Sequence, residues 1–273
     1  MPYAGNIWFE EAGAGRPILF VHGWCMSASV WKFQRDAVAV DNHFLALDLR
    51  GHGSSSASSS GACQGFAGYA QDIVSLVKQL QLTDLVIVGW SMGGQAVLKA
   101  YPEISDSVSA MVLVGTTPRF TSAPHFPFGL APKDAEGMRI KVRRNLERAL
   151  DGFHRNLFTS DEFLSLQSDT SIHQVLSGSA LPTVSAALDG LEALMEEDVM
   201  DEVRQVNCPV LLIHGEQDHI CLPAASAWLN HELPNSHRVL IPGAGHAPFI
   251  SCHNQFNQLL LKFIRQTGCS HEC

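Results

Sequence analysis

Leu85-Val86-Ile87-Val88-Gly89-Trp90-Ser91-Met92-Gly93-Gly94 is the stretch on which the reading of this chain turns. A four-residue apolar run without alternation reads as a strand buried on both faces. It passes through G-x-S-x-G into residues 93–101, which have helical periodicity. A sharp strand-to-helix turn leaves little room for side chains, so glycines flank its central residue. The turn lifts the Ser91 hydroxyl above the sheet edge. It also aims a helix N-terminus at any negative charge that develops there. Ser91 is therefore the candidate nucleophile.

Outward from this turn, similar runs recur at Ile18–Val21, Phe44–Leu47, Met111–Val114, Val210–Ile213 and Val239–Ile241. Helical patterns occupy 69–81 and 255–266. Alternating buried strands and helices predict an α/β architecture, a mostly parallel, doubly wound sheet. Asn6–Glu10 is expected to add an antiparallel edge strand. The alternation breaks once, between Gly115 and Pro209, over about ninety residues, far beyond an ordinary connection. That segment opens with Pro118, Pro124, Pro127 and Pro132 and then turns helical. It reads as a helical cap inserted over one end of the sheet. The organisation expected is core at 1–117, cap at 118–205 and core again at 206–273. Ser54–Ser60 reads as a mobile loop.

The 273 residues suffice for a sizeable core. Composition, 46% hydrophobic and 16% charged, rules out a disordered chain or a coiled coil. A net charge of -9 disfavours a general nucleic-acid binder. No run of 18 apolar residues and no leader pattern is present, so neither a membrane span nor a signal peptide is expected. Seven cysteines at irregular spacing, without CxxC, point to free thiols in a reducing cytoplasm. The ending Cys269-Ser270-His271-Glu272-Cys273 reads as a frayed terminus rather than a metal site.

A serine hydroxyl needs a base. The chain order for this kind of turn is nucleophile, acid, histidine. His246 lies in Gly243-Ala244-Gly245-His246-Ala247-Pro248, just past a strand, where a loop can reach the sheet's C-terminal edge. His237 and His253 lack that setting; His22 and His52 precede Ser91. Asp218, in Gly215-Glu216-Gln217-Asp218, is the acid that would fix the His246 tautomer and stabilise its imidazolium. Glu216 stands too close to the strand end to turn inward. The other place for an acid, after Met111–Gly115, reads Thr116-Thr117-Pro118. Two backbone N–H groups are needed for a developing oxyanion. Met92, next after the nucleophile, supplies one; Trp24, in His22-Gly23-Trp24, supplies the other, with its indole walling the acyl pocket. This chemistry needs no cofactor and no metal.

Together, His22-Gly23-Trp24, Asp48-Leu49-Arg50-Gly51-His52-Gly53, Gly89–Gly94, Gly215–Asp218 and Gly245-His246 resemble the α/β-hydrolase superfamily over nearly all the chain outside the cap. The Gly51-His52-Gly53 loop is expected only to shape a turn. Gly89–Gly94 with Gly245–Ser251, and His22-Gly23-Trp24 followed by Val30-Trp31, are similar to the biotin-synthesis carboxylesterases. Those enzymes hydrolyse the methyl ester of pimeloyl-[acyl-carrier protein]. The resemblance implies an acyl channel lined by Trp24, Met92 and the cap helix around Phe153 and Leu157, beside Ser91 and His246.

Charge in the cap bears on the partner. Residues 119–155 carry a net +4 and the rest of the chain -13. Lys141, Arg144, Arg148 and Arg155 share one helical face; Val142, Leu146, Ala149, Phe153 and Leu157 share another. Such asymmetry suits an acidic partner such as an acyl carrier protein. Residues 156–203 contain no Lys or Arg, a departure from family caps. The reading is a monomeric cytoplasmic serine carboxylesterase. A generic short-chain esterase or C–C bond hydrolase, and a ligand receptor without turnover on the same fold, remain alternatives.

Overall fold

The computed structural model describes residues 3–58, 65–166, 170–178 and 180–268. The apolar runs form strands β1 (Tyr3–Ala4), β2 (Ile7–Ala12), β3 (Arg16–Val21), β4 (Asn42–Leu47), β5 (Leu85–Trp90), β6 (Val108–Val114), β7 (Val210–Gly215) and β8 (Ser236–Ile241). They make one sheet in the order β1-β2-β4-β3-β5-β6-β7-β8. β2 pairs antiparallel with β4 as expected, but the two-residue β1 pairs outside it and takes the edge; β3 through β8 pair parallel. β5 is buried along its whole length, which is why its sequence does not alternate.

Helices α1 (Lys32–Val38), α2 (Gly65–Gln79), α3 (Met92–Ile104), α10 (Pro223–Glu232), α11 (Pro248–Ser251) and α12 (His253–Gly268) accompany the sheet. Between β6 and β7 lie α4 (Pro132–Arg144), α5 (Leu146–Asn156), α6 (Ser160–Leu166), α7 (Thr170–Ser177), α8 (Val184–Glu196) and α9 (Met200–Val203). The break in alternation thus corresponds to six helices among the described residues.

A run of aromatic rings ties the elements that carry the site. Phe20 on β3 packs on Trp31 at 5.1 Å, Trp31 on Phe249 at 4.3 Å, and Phe249 on Trp90 at 4.9 Å. All four are essentially buried. Phe249 on α11 thereby fixes the segment just after His246 to the strand leading to Ser91.

The sequence expectations need two corrections. Residues 141–157 are not one helix. Asn145 is extended, with φ -163° and ψ 102°, and its side chain caps α5 by accepting the Arg148 N–H. The apolar face survives the break: Val142, Ala149, Phe153 and Leu157 are all buried. The Ser-rich stretch is not simply a loop. Gly53–Ser58 forms a 3₁₀ helix, and buried Ser55 accepts the Trp8 N–H at 2.8 Å; residues 59 and 60 lie outside the described residues. Cys25, Cys208, Cys221 and Cys252 are free thiols. Cys63 and the 269–273 ending lie outside the described residues.

The glycines of the turn are required by backbone contacts. A Cβ on Gly93 would collide with the carbonyl oxygens of Val21 and His22, and one on Gly89 would come 2.6 Å from the Gly94 Cα. Neither contact can be relieved by a rotamer. Gly93→Ala is expected to destabilise the fold by about 1–3 kcal/mol through overpacking, read as a lower Tm in calorimetry. An unchanged Tm would mean that β3 and α3 can separate freely.

Candidate active site

Ser91 sits between β5 and α3 with φ +55° and ψ -119°. A non-glycine residue in this region is strained by about 1–3 kcal/mol. Hydrogen bonds hold it there: its N–H donates to Val114 O at 2.9 Å, and its carbonyl accepts the Gly94 and Gln95 amides. The residue is almost buried, at 8% exposure.

His246 and Asp218 meet as the sequence predicted. The His246 Nδ1–H donates to Asp218 Oδ2 at 2.7 Å, and both side chains are fully buried. Asp218 Oδ1 accepts the Ile220 and Cys221 amides at 2.8 and 3.0 Å. Burial raises the Asp218 pKa, but the His246 charge and hydrogen bonds from His214 and His246 outweigh it. The carboxyl is held well below the usual carboxylate range. Glu216 instead faces the Gly243 amide at 3.3 Å near the surface. Gly115 explains how the ring fits against the end of β6: a Cβ there would lie 3.1 Å from His246 Nδ1.

The Ser91–His246 link is open in this structure. Ser91 Oγ has Cys221 Sγ as its neighbour at 4.0 Å, and His246 Nε2 is buried without a partner among the described residues. Such bonds are often long before a substrate arrives. An unpaired buried nitrogen beside the turn is a ready proton acceptor.

The Trp24 and Met92 amides have no acceptor among the described residues. Met92 is the first residue of α3, where helical N–H groups are free by construction. Trp24 is pinned through its indole, which donates to Ala187 O at 2.8 Å and meets Phe153 edge-on at 5.0 Å. Trp24, Phe153, Phe120, Leu191 and Leu194 line a cavity of about 420 Å³ that reaches Ser91. Leu157, Met92 and His246 do not line it. Leu157 acts through its backbone instead: its carbonyl accepts the His246 and Ala247 amides at 2.7 and 3.3 Å.

Sequence reasoning missed other supports of the His246 loop. Trp90 donates its indole N–H to His246 O at 3.0 Å. Glu162 reaches from α6 to accept the Gly245 amide at 2.8 Å. His214 lies 3.1 Å from Asp218 Oδ2. Trp90 adjoins Ser91 and was within reach of sequence reasoning; Glu162 carries no local signal. His22 and His52 are internal braces. His22 Nδ1–H donates to Gly23 O while Nε2 accepts the Leu49 amide. His52 likewise bridges Arg50 O and the Cys25 amide. Burial lowers their pKa values to about 4 and about 3, His52 being lowered further by His22.

Lys141, Arg144, Arg148 and Arg155 come together, although on two helices. All four line a cleft of about 610 Å³ between α4 and α5. None has an acidic partner among the described residues. Met138, Lys141 and Asn156 line both this cleft and the cavity at Ser91, so the two adjoin.

This strained serine turn, set on a mostly parallel sheet with a helical insertion, defines a class. Residues 16–251 match the family of the alpha/beta hydrolase fold, and the chain belongs to it. Among curated proteins, it is similar to the pimeloyl-[acyl-carrier protein] methyl ester esterase of Nitrosospira multiformis, with 26% identity over 95% of this chain and 98% of that one. The protein of the same name from Nitrosomonas europaea is 28% identical over 92% and 96%. Among solved structures, a bromoperoxidase from Bacillus anthracis matches with a TM-score of 0.85 and 26% identity, over 95% of each chain. No described helix is long and apolar enough to cross a membrane.

Proposed function

We propose that the protein is a serine carboxylesterase acting through an acyl-enzyme, and that its substrate is the methyl ester of pimeloyl-[acyl-carrier protein] in biotin biosynthesis. The observation that carries the esterase reading is the buried Asp218–His246 pair at 2.7 Å beside a strained Ser91 that opens into a cavity walled by Trp24, Phe120, Phe153, Leu191 and Leu194. Ser91 attacks the ester carbonyl while His246 Nε2 takes its proton. The Trp24 and Met92 amides hold the tetrahedral oxyanion. The imidazolium, stabilised by Asp218, then protonates the departing methoxide. Water attacks the acyl-enzyme with His246 as base and releases the acid.

Support for the carrier comes from the four cations, without acidic partners among the described residues, in the cleft that adjoins the cavity, together with the relatives named above. An acidic carrier docked on α4 and α5 would be steered by them. The Arg144→Glu, Arg148→Glu double variant tests this. On carrier-bound methyl ester its kcat/KM is expected to fall on the order of 10²-fold at low salt. On p-nitrophenyl acetate it should stay within twofold of wild type. Equal losses on both substrates would reject the carrier and leave a generic esterase. Restored growth of a biotin-requiring strain lacking its own pimeloyl esterase is the matching cellular readout.

A further inference from the structure

His214 is the penultimate residue of β7 and is buried completely. Its Nε2 lies 2.7 Å from Cys221 O and 3.1 Å from Asp218 Oδ2. Both neighbours are acceptors, so the ring's proton belongs on Nε2, shared between them. Nδ1 is buried without a partner among the described residues. A second proton there would have nothing to donate to. Asp218 Oδ2 thus receives two imidazole N–H groups, one from the base and one from His214, while Oδ1 receives two amides.

The shared oxygen has a chemical consequence. A carboxylate oxygen that already accepts one proton donor has less negative charge to offer a second. His246 then faces a weaker counter-charge than it would beside an acid with one imidazole. A weaker counter-charge stabilises the imidazolium less. Two other ionisable groups face this assembly: the Cys221 thiol, whose ionisation burial and the Asp218 charge oppose, and Glu162, which reaches the Gly245 amide from α6.

Resting on the assignment of Asp218 and His246 above, we propose that His214 is a positioning residue. It orients the Asp218 carboxylate and, by sharing Oδ2, extends the esterase's working range toward acid.

The test compares His214→Leu and His214→Gln with wild type in kcat/KM on p-nitrophenyl acetate across pH, read at the isosbestic wavelength of the product. Leu cannot donate. Its acid limb is expected to move to higher pH by roughly half to one pH unit, a three- to tenfold loss on that limb. Gln keeps an N–H in reach of Oδ2, and its limb should return toward wild type. A Leu limb that superposes on the wild-type limb, whatever the plateau does, overturns the proposal; so does a Gln limb displaced as far as that of Leu. Because a buried substitution can prevent folding, the tautomer is also read in the wild-type protein by 15N-histidine NMR. A protonated Nε2 and bare Nδ1 on His214 support the assignment, and the opposite tautomer overturns it. That reading needs no turnover, so it stands apart from any failure of Ser91 as nucleophile.

Discussion

Ser91→Ala is expected to lower kcat on a short p-nitrophenyl ester by roughly 10⁴–10⁶-fold, with the fold intact. Among the described residues the hydroxyl meets only the Cys221 thiol, at 4.0 Å. Alanine also keeps the Cβ that makes φ +55° costly, so Tm should stay near wild type. Ser91→Gly should be equally inactive yet more stable, by about 1 kcal/mol or more, because glycine adopts this backbone without strain. For a domain of this size that is a rise of about 2–4 °C. The pair separates chemistry from folding: both variants lose turnover, and only one gains stability. Wild-type turnover in Ser91→Ala would remove the nucleophile. A glycine variant less stable than the alanine variant would show that the turn stores no strain.

Much of this arrangement was legible because its causes are local. The runs that end β3–β7 are apolar without alternation since both faces of the parallel sheet are covered there, whereas β8, at the edge, buries only Ile241 fully. Gly89, Gly93 and Gly94 betray the turn because a side chain at any of them strikes backbone or Thr116. Asp218 and His246 were found from chain order and from their positions after β7 and β8. What escaped depends on contacts between distant segments. Glu162 meets Gly245 across 83 positions of sequence, and no periodicity announces a cap carboxylate that braces a core loop. The break at Asn145 was hidden because the apolar spacing continues through it. The family resemblance implies Leu157 in the acyl channel, whereas the structure uses its carbonyl to hold the His246 loop. His214 resembled any buried strand residue until Asp218 folded back over it. Short helices such as α1 have too few turns for their pattern to stand out.

Asp218→Asn is expected to cost about 10⁴ in kcat, comparable with the loss found for the same exchange in the Ser-His-Asp template. The reasoning follows from four hydrogen bonds. Oδ1 accepts the Ile220 and Cys221 amides, and Oδ2 accepts protons from His246 and His214. Asparagine has one acceptor atom. Two amide donors at 2.8 and 3.0 Å hold its oxygen on the Oδ1 side, which turns its NH₂ toward the imidazoles. A donor there favours the His246 tautomer with a bare Nδ1 and a proton on Nε2. The nitrogen that must take the Ser91 proton is then already occupied. Asp218→Ala frees the ring from any such demand, so it should be the more active of the two at neutral pH, despite losing more contacts. Turnover of p-nitrophenyl acetate at pH 7 measures both variants, with circular dichroism confirming that each is folded. An asparagine variant within tenfold of wild type would mean that the carboxylate merely packs against the ring, and that proton transfer from Ser91 does not depend on the His246 tautomer.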